Sequence, residues 1–223
     1  MFKEIKNGSY NVYRKFYEND NSGRVKVPSL IDDVSNANRK IEIKKLFDVK
    51  EGREIPFENP KPTKLLKHLI IPSTEDNEIV LDFFSGSSTT AHSIMELNRE
   101  NNGNRKYIMV QLPEELDKSS IAYKSGFKTI PDIAKERIRR AAEKINLENK
   151  NNCDLGFRVF KLDESNMKDI YYNPNAITQK TLTDLGSNIK EDRTEEDLLF
   201  QTLLDLAIPI SAQVIEEKIQ GKR

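Results

Sequence analysis

The apolar run Ile79, Val80 and Leu81, continued by Asp82, Phe83 and Phe84, constrains this chain most. It is too short for an ordinary helix and predicts a strand buried on both faces. Ser85, Gly86, Ser87, Ser88 and Thr89 then form a turn of small residues, and Ala91, Ile94, Met95 and Asn98 follow at helical spacing over residues 90–99. Asn101, Asn102, Gly103 and Asn104 stop that helix, and residues 106–112 read as a second strand. Strand, turn, helix and strand in this order make a βαβ unit with a right-handed parallel crossover. The expected class is α/β.

Before this unit, Gly52, Pro56, Pro60 and Pro62 break any helix and mark a boundary at residues 47–62. A helix is predicted from Lys61, with Pro62 suited to its first turn, Leu65, Leu66, Leu69 and Ile70 on one face, and Pro72 as its stop. After it, residues 113–129 read as an irregular insertion. A charged helix follows from Ile130 through Ile133, Arg137, Ile138, Ala141 and Ile145. The alternation in residues 157–162 predicts a strand, and residues 195–206 an amphipathic helix whose leucines need a neighbour. Residues 7–39 show no sustained period and read as loop-rich with at most short strands. Three regions are therefore expected: 1–46, a loop-rich region; 47–150, an α/β half-domain; and 151–223, a C-terminal assembly region.

Composition narrows the function classes. Of 223 residues, 36% are hydrophobic and 32% charged, with no Trp, so part of the chain is expected to be solvated or to await a partner. Lys and Arg total 36 and so do Asp and Glu, which removes any whole-chain electrostatic argument for nucleic acid or membrane. The local candidates for DNA phosphates are Arg137, Arg139 and Arg140, interrupted by Glu136 and Glu143. Cys153 alone excludes an internal disulfide and a multi-cysteine zinc site; with only His68 and His92 besides, no metal centre is expected. His92 reads as a helix-surface residue and Cys153 as an inert loop residue. No run is long enough to span a membrane and no signal sequence follows Met1, so the expected setting is the cytoplasm.

A ligand of an open parallel sheet sits beyond the carboxyl ends of the strands. The turn after Phe84 occupies that position, with Gly86 allowing close backbone approach and helix-start amides favouring a carboxylate or phosphate. A single Gly and no following Lys fit neither the dinucleotide fingerprint nor a P-loop, which disfavours a phosphate-rich ligand.

Read together with Phe57, Glu58, Asn59, Pro60, Lys61, Pro62 and Thr63, the turn resembles the paired motifs of amino-group DNA methyltransferases: Lys-Pro before a leucine helix, then Asp-x-Phe-x-Gly-Ser-Gly-Thr-Thr. With residues 110–114 and 157–162 added, the chain is similar to the modification subunits of type III restriction-modification systems. The resemblance runs from about Ser29 to Arg223 and is strongest over residues 59–114. It implies a partial Rossmann-like S-adenosylmethionine-dependent methyltransferase fold with a C-terminal α+β extension.

By the same resemblance S-adenosylmethionine is the cofactor. Asp82 and the turn 85–89 are expected to hold its methionine part, with Asn59, Lys61, Pro62 and Thr63 close by, and Phe83 and Phe84 adjoining. Gln111 is expected to meet the ribose hydroxyls, and Leu112 and Pro113 to lie near the adenine. Two residues depart from the pattern. Ser88 stands in place of the second Gly, and Gln111 replaces the usual acid.

Adenine N6-methylation needs a flipped base held by an Asp/Asn-Pro-Pro-Tyr/Phe string. None exists here; Tyr172, Asn173, Pro174 and Asn175 have one Pro and no following aromatic residue. No catalytic residue is therefore assigned. The chain is expected to be a fragment, the end of a target-recognition region joined to the cofactor half, and inactive alone. Its implied partners are DNA, the missing N-terminal catalytic half, a restriction subunit and a second copy in a homodimer. The alternative expectation is a non-catalytic assembly or DNA-binding module of a restriction-modification complex.

Overall fold

In the computed structural model the predicted unit is present as β3 (Ile79–Asp82), α3 (Thr89–Asn101) and β4 (Lys106–Met109), with β3 and β4 parallel and Ile79 opposite Lys106. Ahead of them lie β1 (Phe2–Ile5) and β2 (Ser9–Val12), an antiparallel pair, then α1 (Asn36–Leu46) and α2 (Thr63–Ser73). After them come α4 (Ile121–Lys124), α5 (Ile130–Glu148) and α6 (Glu195–Asp205). The structure describes residues 2–5, 9–12, 31, 33–34, 36–50, 56–148, 154–168 and 188–217. They belong to two compact units, Met1–Phe157 and Arg158–Arg223. The division falls a few residues after the boundary expected at 150. Cys153 and residues 172–175 lie outside the described residues, as does most of the region read as loop-rich.

Helix α3 organises the first unit. Ala91 and Met95 pack with Leu46, Ile138, Ala141 and Ile145 on its α1 and α5 side, while Ile94 and Leu97 pack with Ile70 of α2. These positions recur at three and four residues, so one helix joins two apolar clusters. Tyr107 touches both from β4. At the amino end of the strands, Asn98 donates to the Arg105 carbonyl at 2.8 Å and accepts from the Arg105 amide at 3.0 Å. That pairing fixes where α3 hands over to β4.

The strands are not buried on both faces. Val80, Tyr107 and Met109 face the helices, but Leu81 is 55% and Ile108 49% exposed, with Ile79, Val110 and Leu112 on the same open face. Helices cover one side of the pair, and nothing among the described residues covers the other. Alternation in side-chain direction then leaves every second residue in solvent.

Three further differences from the expected elements have simple causes. Helix α1 was not anticipated; Ile43 and Leu46 anchor it in the core, Lys44 and Lys45 suit its carboxyl end, and Asp48 follows at a left-handed φ of 52°. Pro72 lies inside the last turn of α2 rather than before its end. Residues 157–162 form no strand, and no neighbouring strand among the described residues receives a ladder from them.

In the second unit, α6 starts with a capping box: Asp197 Oδ2 accepts from the Thr194 amide at 2.8 Å, and the Asp197 amide donates to Thr194 Oγ1 at 3.2 Å. Phe160 meets Phe200 edge to face at 4.9 Å, and Arg158 donates to the carbonyls of Ile210 and Ala212. Leu162 is 99% exposed, and Leu204, Leu206 and Ile215 are largely exposed.

Candidate functional site

Asp82 ends β3 with both carboxylate oxygens engaged. Oδ1 accepts from the Phe84 amide at 3.2 Å and Oδ2 from Thr90 Oγ1 at 2.6 Å. Its backbone carbonyl also accepts from the Val110 amide at 2.8 Å, so one residue ties strand, turn and helix start together. The turn then bends sharply. Gly86 has φ 50° and Ser88 φ 55°, both left-handed, and the Ser88 amide donates to the Ser85 carbonyl at 2.7 Å. A side chain on Gly86 would meet the Phe57 ring at 3.4 Å, which places the stretch before α2 directly against the turn.

Gln111 reaches the same turn from beyond β4. Its Oε1 accepts from the Gly86 amide at 2.8 Å. The position predicted to meet a ribose is thus already holding the loop that it faces.

A buried guanidinium supports the turn from behind. Arg137 of α5, 1% exposed, donates from Nη1 to Ser87 Oγ at 3.0 Å and Thr89 Oγ1 at 2.7 Å, and from Nη2 to Glu42 Oε1 at 2.9 Å. Glu42 Oε2 accepts from the Thr63 amide at 3.0 Å and from Thr63 Oγ1 at 3.2 Å. The start of α2 and the turn before α3 are therefore joined through one ion pair. Burial lowers the Arg137 pKa to about 10, against the opposing carboxylates of Glu42 and Glu96, which leaves it a cation at neutral pH.

His92 lies in the same layer, 2% exposed rather than on the helix surface. Its Nε2 is 3.2 Å from Glu96 and its Nδ1 3.9 Å from Glu42. Lys67 meets Glu96 at 2.7 Å from the other side. Burial works against the ionised Glu96, yet His92 and Lys67 outweigh it and bring the carboxyl down to about 2.

The residues predicted for the site divide by exposure. Asn59, Lys61, Phe83, Phe84, Leu112 and Pro113 are exposed; Asp82, Gly86 and Gln111 are half-buried; Pro62, Thr63, Ser85, Ser87, Ser88 and Thr89 are buried. The structure brings the turn, Gln111 and the start of α2 together. It turns the hydroxyls of Ser87 and Thr89 inward to Arg137, so those two side chains frame the turn and do not line an open surface. Phe84, 80% exposed, lies against Phe83 with ring centres 5.2 Å apart and planes tilted by 55°.

Sequence reasoning missed Glu42 and the real place of Arg137, and it read Phe57 as part of the motif without giving it a place against Gly86. The signal for Arg137 was present, because it shares the Ile133, Ala141 and Ile145 face of α5, where an arginine needs a buried partner. It is not available to DNA phosphates. Arg140 is also committed, to Glu136 at 2.7 Å and to the Phe47 ring at 5.0 Å.

A hollow of about 290 Å³ beside the start of α2 is lined by Glu42, Lys45, Pro62, His92, Glu96 and Lys144. A hollow of about 530 Å³ lined by Thr74, Asp76, Asn77, Glu78 and Arg105 lies at the amino end of the strands, the wrong end for a ligand of a parallel sheet. No group of His, Cys, Asp and Glu among the described residues could hold a metal ion, and no described helix is long and apolar enough to cross a membrane.

A glycine turn thus lies at the carboxyl end of the parallel β3–α3–β4 unit and is braced against a Lys-Pro helix start. Residues 5–121, more than half of the chain, match the family model described as DNA methylase, and the chain belongs to that family. Among its relatives, the Mod subunit of the type III restriction-modification enzyme StyLTI of Salmonella typhimurium is 42% identical over 154 residues, covering 69% of this chain and 21% of that protein. The Mod subunit of EcoP15I of Escherichia coli is 42% identical over 121 residues, covering 54% of this chain and 17% of its own length. The type II methyltransferase M.KpnI of Klebsiella pneumoniae is 36% identical over 134 residues, covering 59% of this chain and 31% of its own. The chain spans about a fifth of the length of the two Mod relatives.

Proposed function

We propose that this chain supplies the S-adenosylmethionine-binding half of a site-specific DNA adenine N6-methyltransferase of a type III restriction-modification system. The observation that carries the reading is the contact of the left-handed Gly86 turn with both Gln111 and Phe57, at the carboxyl end of two parallel strands. β3, α3 and β4 then form part of a Rossmann-like methyltransferase sheet, with residues after 150 as an α+β extension used in assembly.

The residues fit this cofactor. Gly86 at φ 50° bends the backbone as a side chain would not readily allow, which leaves a bare turn that an amino acid carboxylate can approach. Lys61, Gln111 and Asn59 offer polar contacts, and Phe84, Leu112 and Pro113 offer exposed apolar surface of the kind that an adenine or a sulfonium needs. Bound S-adenosylmethionine supplies an electrophilic methyl group. This chain's own residues bind and orient it: Asp82 fixes the turn, Gln111 holds Gly86, and Thr63 anchors the opposite wall.

Catalysis belongs elsewhere. Without an Asp/Asn-Pro-Pro-Tyr/Phe string the chain has nothing to grip a flipped adenine, so methyl transfer to DNA needs a polypeptide that carries one; the likeness to Mod subunits adds a restriction subunit as a proposed partner. The exposed Leu81, Ile108, Val110 and Leu112 face supports a missing cover of this kind. A tritiated-methyl assay tests the division of labour: no transfer by the chain alone, and transfer to DNA when a polypeptide bearing the missing motif is added. Turnover by the pure chain would refute it.

A second reading, a non-catalytic assembly module, is favoured by the exposed Leu162, Leu204, Leu206 and Ile215 of the second unit. Capture of a restriction subunit that survives Gly86→Trp, in a chain that never bound the cofactor, would select that reading.

A further inference from the structure

We propose that Arg137 and Glu42 form a positioning strut that sets the left-handed backbone at Ser88 and couples it to the start of α2, so that both walls of the cofactor site move as one. The inference rests on the reading that this turn holds S-adenosylmethionine. Arg137 and Glu42 do not touch the ligand in it.

One nitrogen, Arg137 Nη1, grips Ser87 Oγ and Thr89 Oγ1, the residues on either side of Ser88. Ser88 is 1% exposed, has φ 55°, and makes no side-chain capping bond of its own. A non-glycine residue holds that conformation only at a cost in backbone energy, and at Ser88 the flanking hydroxyls are both pinned. The strut supplies from outside what a glycine would supply from its own backbone.

The other nitrogen carries the constraint across the site. Nη2 meets Glu42 Oε1, and the second oxygen of the same carboxylate holds the amide and hydroxyl of Thr63. Thr63 in turn accepts at its carbonyl from Ser93 Oγ at 3.2 Å, and Ser93 Oγ also reaches the Thr89 carbonyl at 2.9 Å. The loop of contacts closes on the turn. Cohesion alone does not call for this arrangement, since a buried ion pair is often no more stabilising than apolar residues of the same volume. A planar fork with fixed donor directions gives a defined geometry that a lysine does not reproduce.

The test uses the full 223-residue chain with two independent readouts. Glu42→Gln is expected to speed amide hydrogen exchange at Thr63 and also at residues 86–90, which Glu42 does not touch. Faster exchange confined to the Thr63 segment would overturn the strut.

In calorimetry with S-adenosylhomocysteine, Arg137→Lys and Glu42→Gln should each weaken binding about tenfold, and the double variant no more than either, as for one coupled unit. Adding Ser88→Gly to Arg137→Lys should restore most of the affinity, a rescue that a purely structural role does not produce. Additive losses, or no rescue, would contradict the proposal. If the unaltered chain binds no cofactor, the functional reading fails, and the exchange pattern of Glu42→Gln still decides the strut. If Arg137→Lys does not fold, the half-buried Glu42 variant carries the test.

Discussion

The Gly86 amide donates to the Gln111 side-chain oxygen at 2.8 Å across 25 residues of sequence, joining the turn after β3 to the residue beyond β4. A neutral amide thus does two jobs: it holds the loop, and it stands where a ribose acceptor is expected.

Replacing that amide by a carboxylate improves the acceptor for both. Gln111→Glu is expected to tighten S-adenosylmethionine binding about five- to tenfold, because an ionised acceptor forms stronger hydrogen bonds than a neutral one. Gln111→Leu should weaken binding and lower stability by about 1 kcal/mol through the unpaired Gly86 amide. Titration calorimetry and thermal melts check the pair of substitutions; equal affinities in all three proteins would remove Gln111 from the site.

Ser88 carries backbone strain that glycine does not. Ser88→Gly is expected to raise stability by about 0.5–1 kcal/mol, while Gly86→Ala, at φ 50° and against Phe57, should lower it by at least as much. Opposite shifts in the melting temperature are the result to look for. Destabilisation by both would show that the Ser88 side chain contributes more than its strain costs.

The acid limb of stability should depend on Glu96. Its carboxyl is held down to about 2, with burial opposing and His92 and Lys67 driving the shift. A carboxylate depressed in the folded state contributes stability that is present above its unfolded pKa of about 4.5 and is lost as pH falls through about 2. Glu96→Gln should therefore flatten the pH dependence of unfolding between those values and leave a less stable protein at neutral pH. An unchanged acid limb would mean that other carboxylates govern it.

The open face of the β3–β4 pair predicts self-association. Leu81→Glu with Ile108→Glu should shift sedimentation toward the monomer, without loss of helix signal, since both side chains point away from α2 and α3. An unchanged sedimentation profile would place any contact between copies elsewhere.

Much of this site was legible in the sequence because its parts are local. The apolar run from Ile79, the small-residue turn and the Asn-rich stop after α3 follow one another along the chain and gave the element types, although the strand ends at Asp82 and buries one face. The brace behind the turn was not legible in that way. Arg137 lies 48 residues beyond Thr89 and 95 beyond Glu42, so only the folded chain brings them together. Its place on the Ile133 and Ala141 face of α5 was the available hint. His92 and Glu96, four apart on α3, were a similar hint that a lone histidine was paired. The expected strand at 157–162 failed for the complementary reason: alternation describes one strand's faces but not whether a neighbour is there to bond it.

The most direct measurement is isothermal titration of the folded 223-residue chain with S-adenosylmethionine. The account predicts saturable one-to-one binding that S-adenosylhomocysteine displaces, that ATP does not, and that Gly86→Trp abolishes while the far-ultraviolet spectrum is kept. Absence of binding by a chain with intact helix signal, or competition by ATP alone, would contradict it.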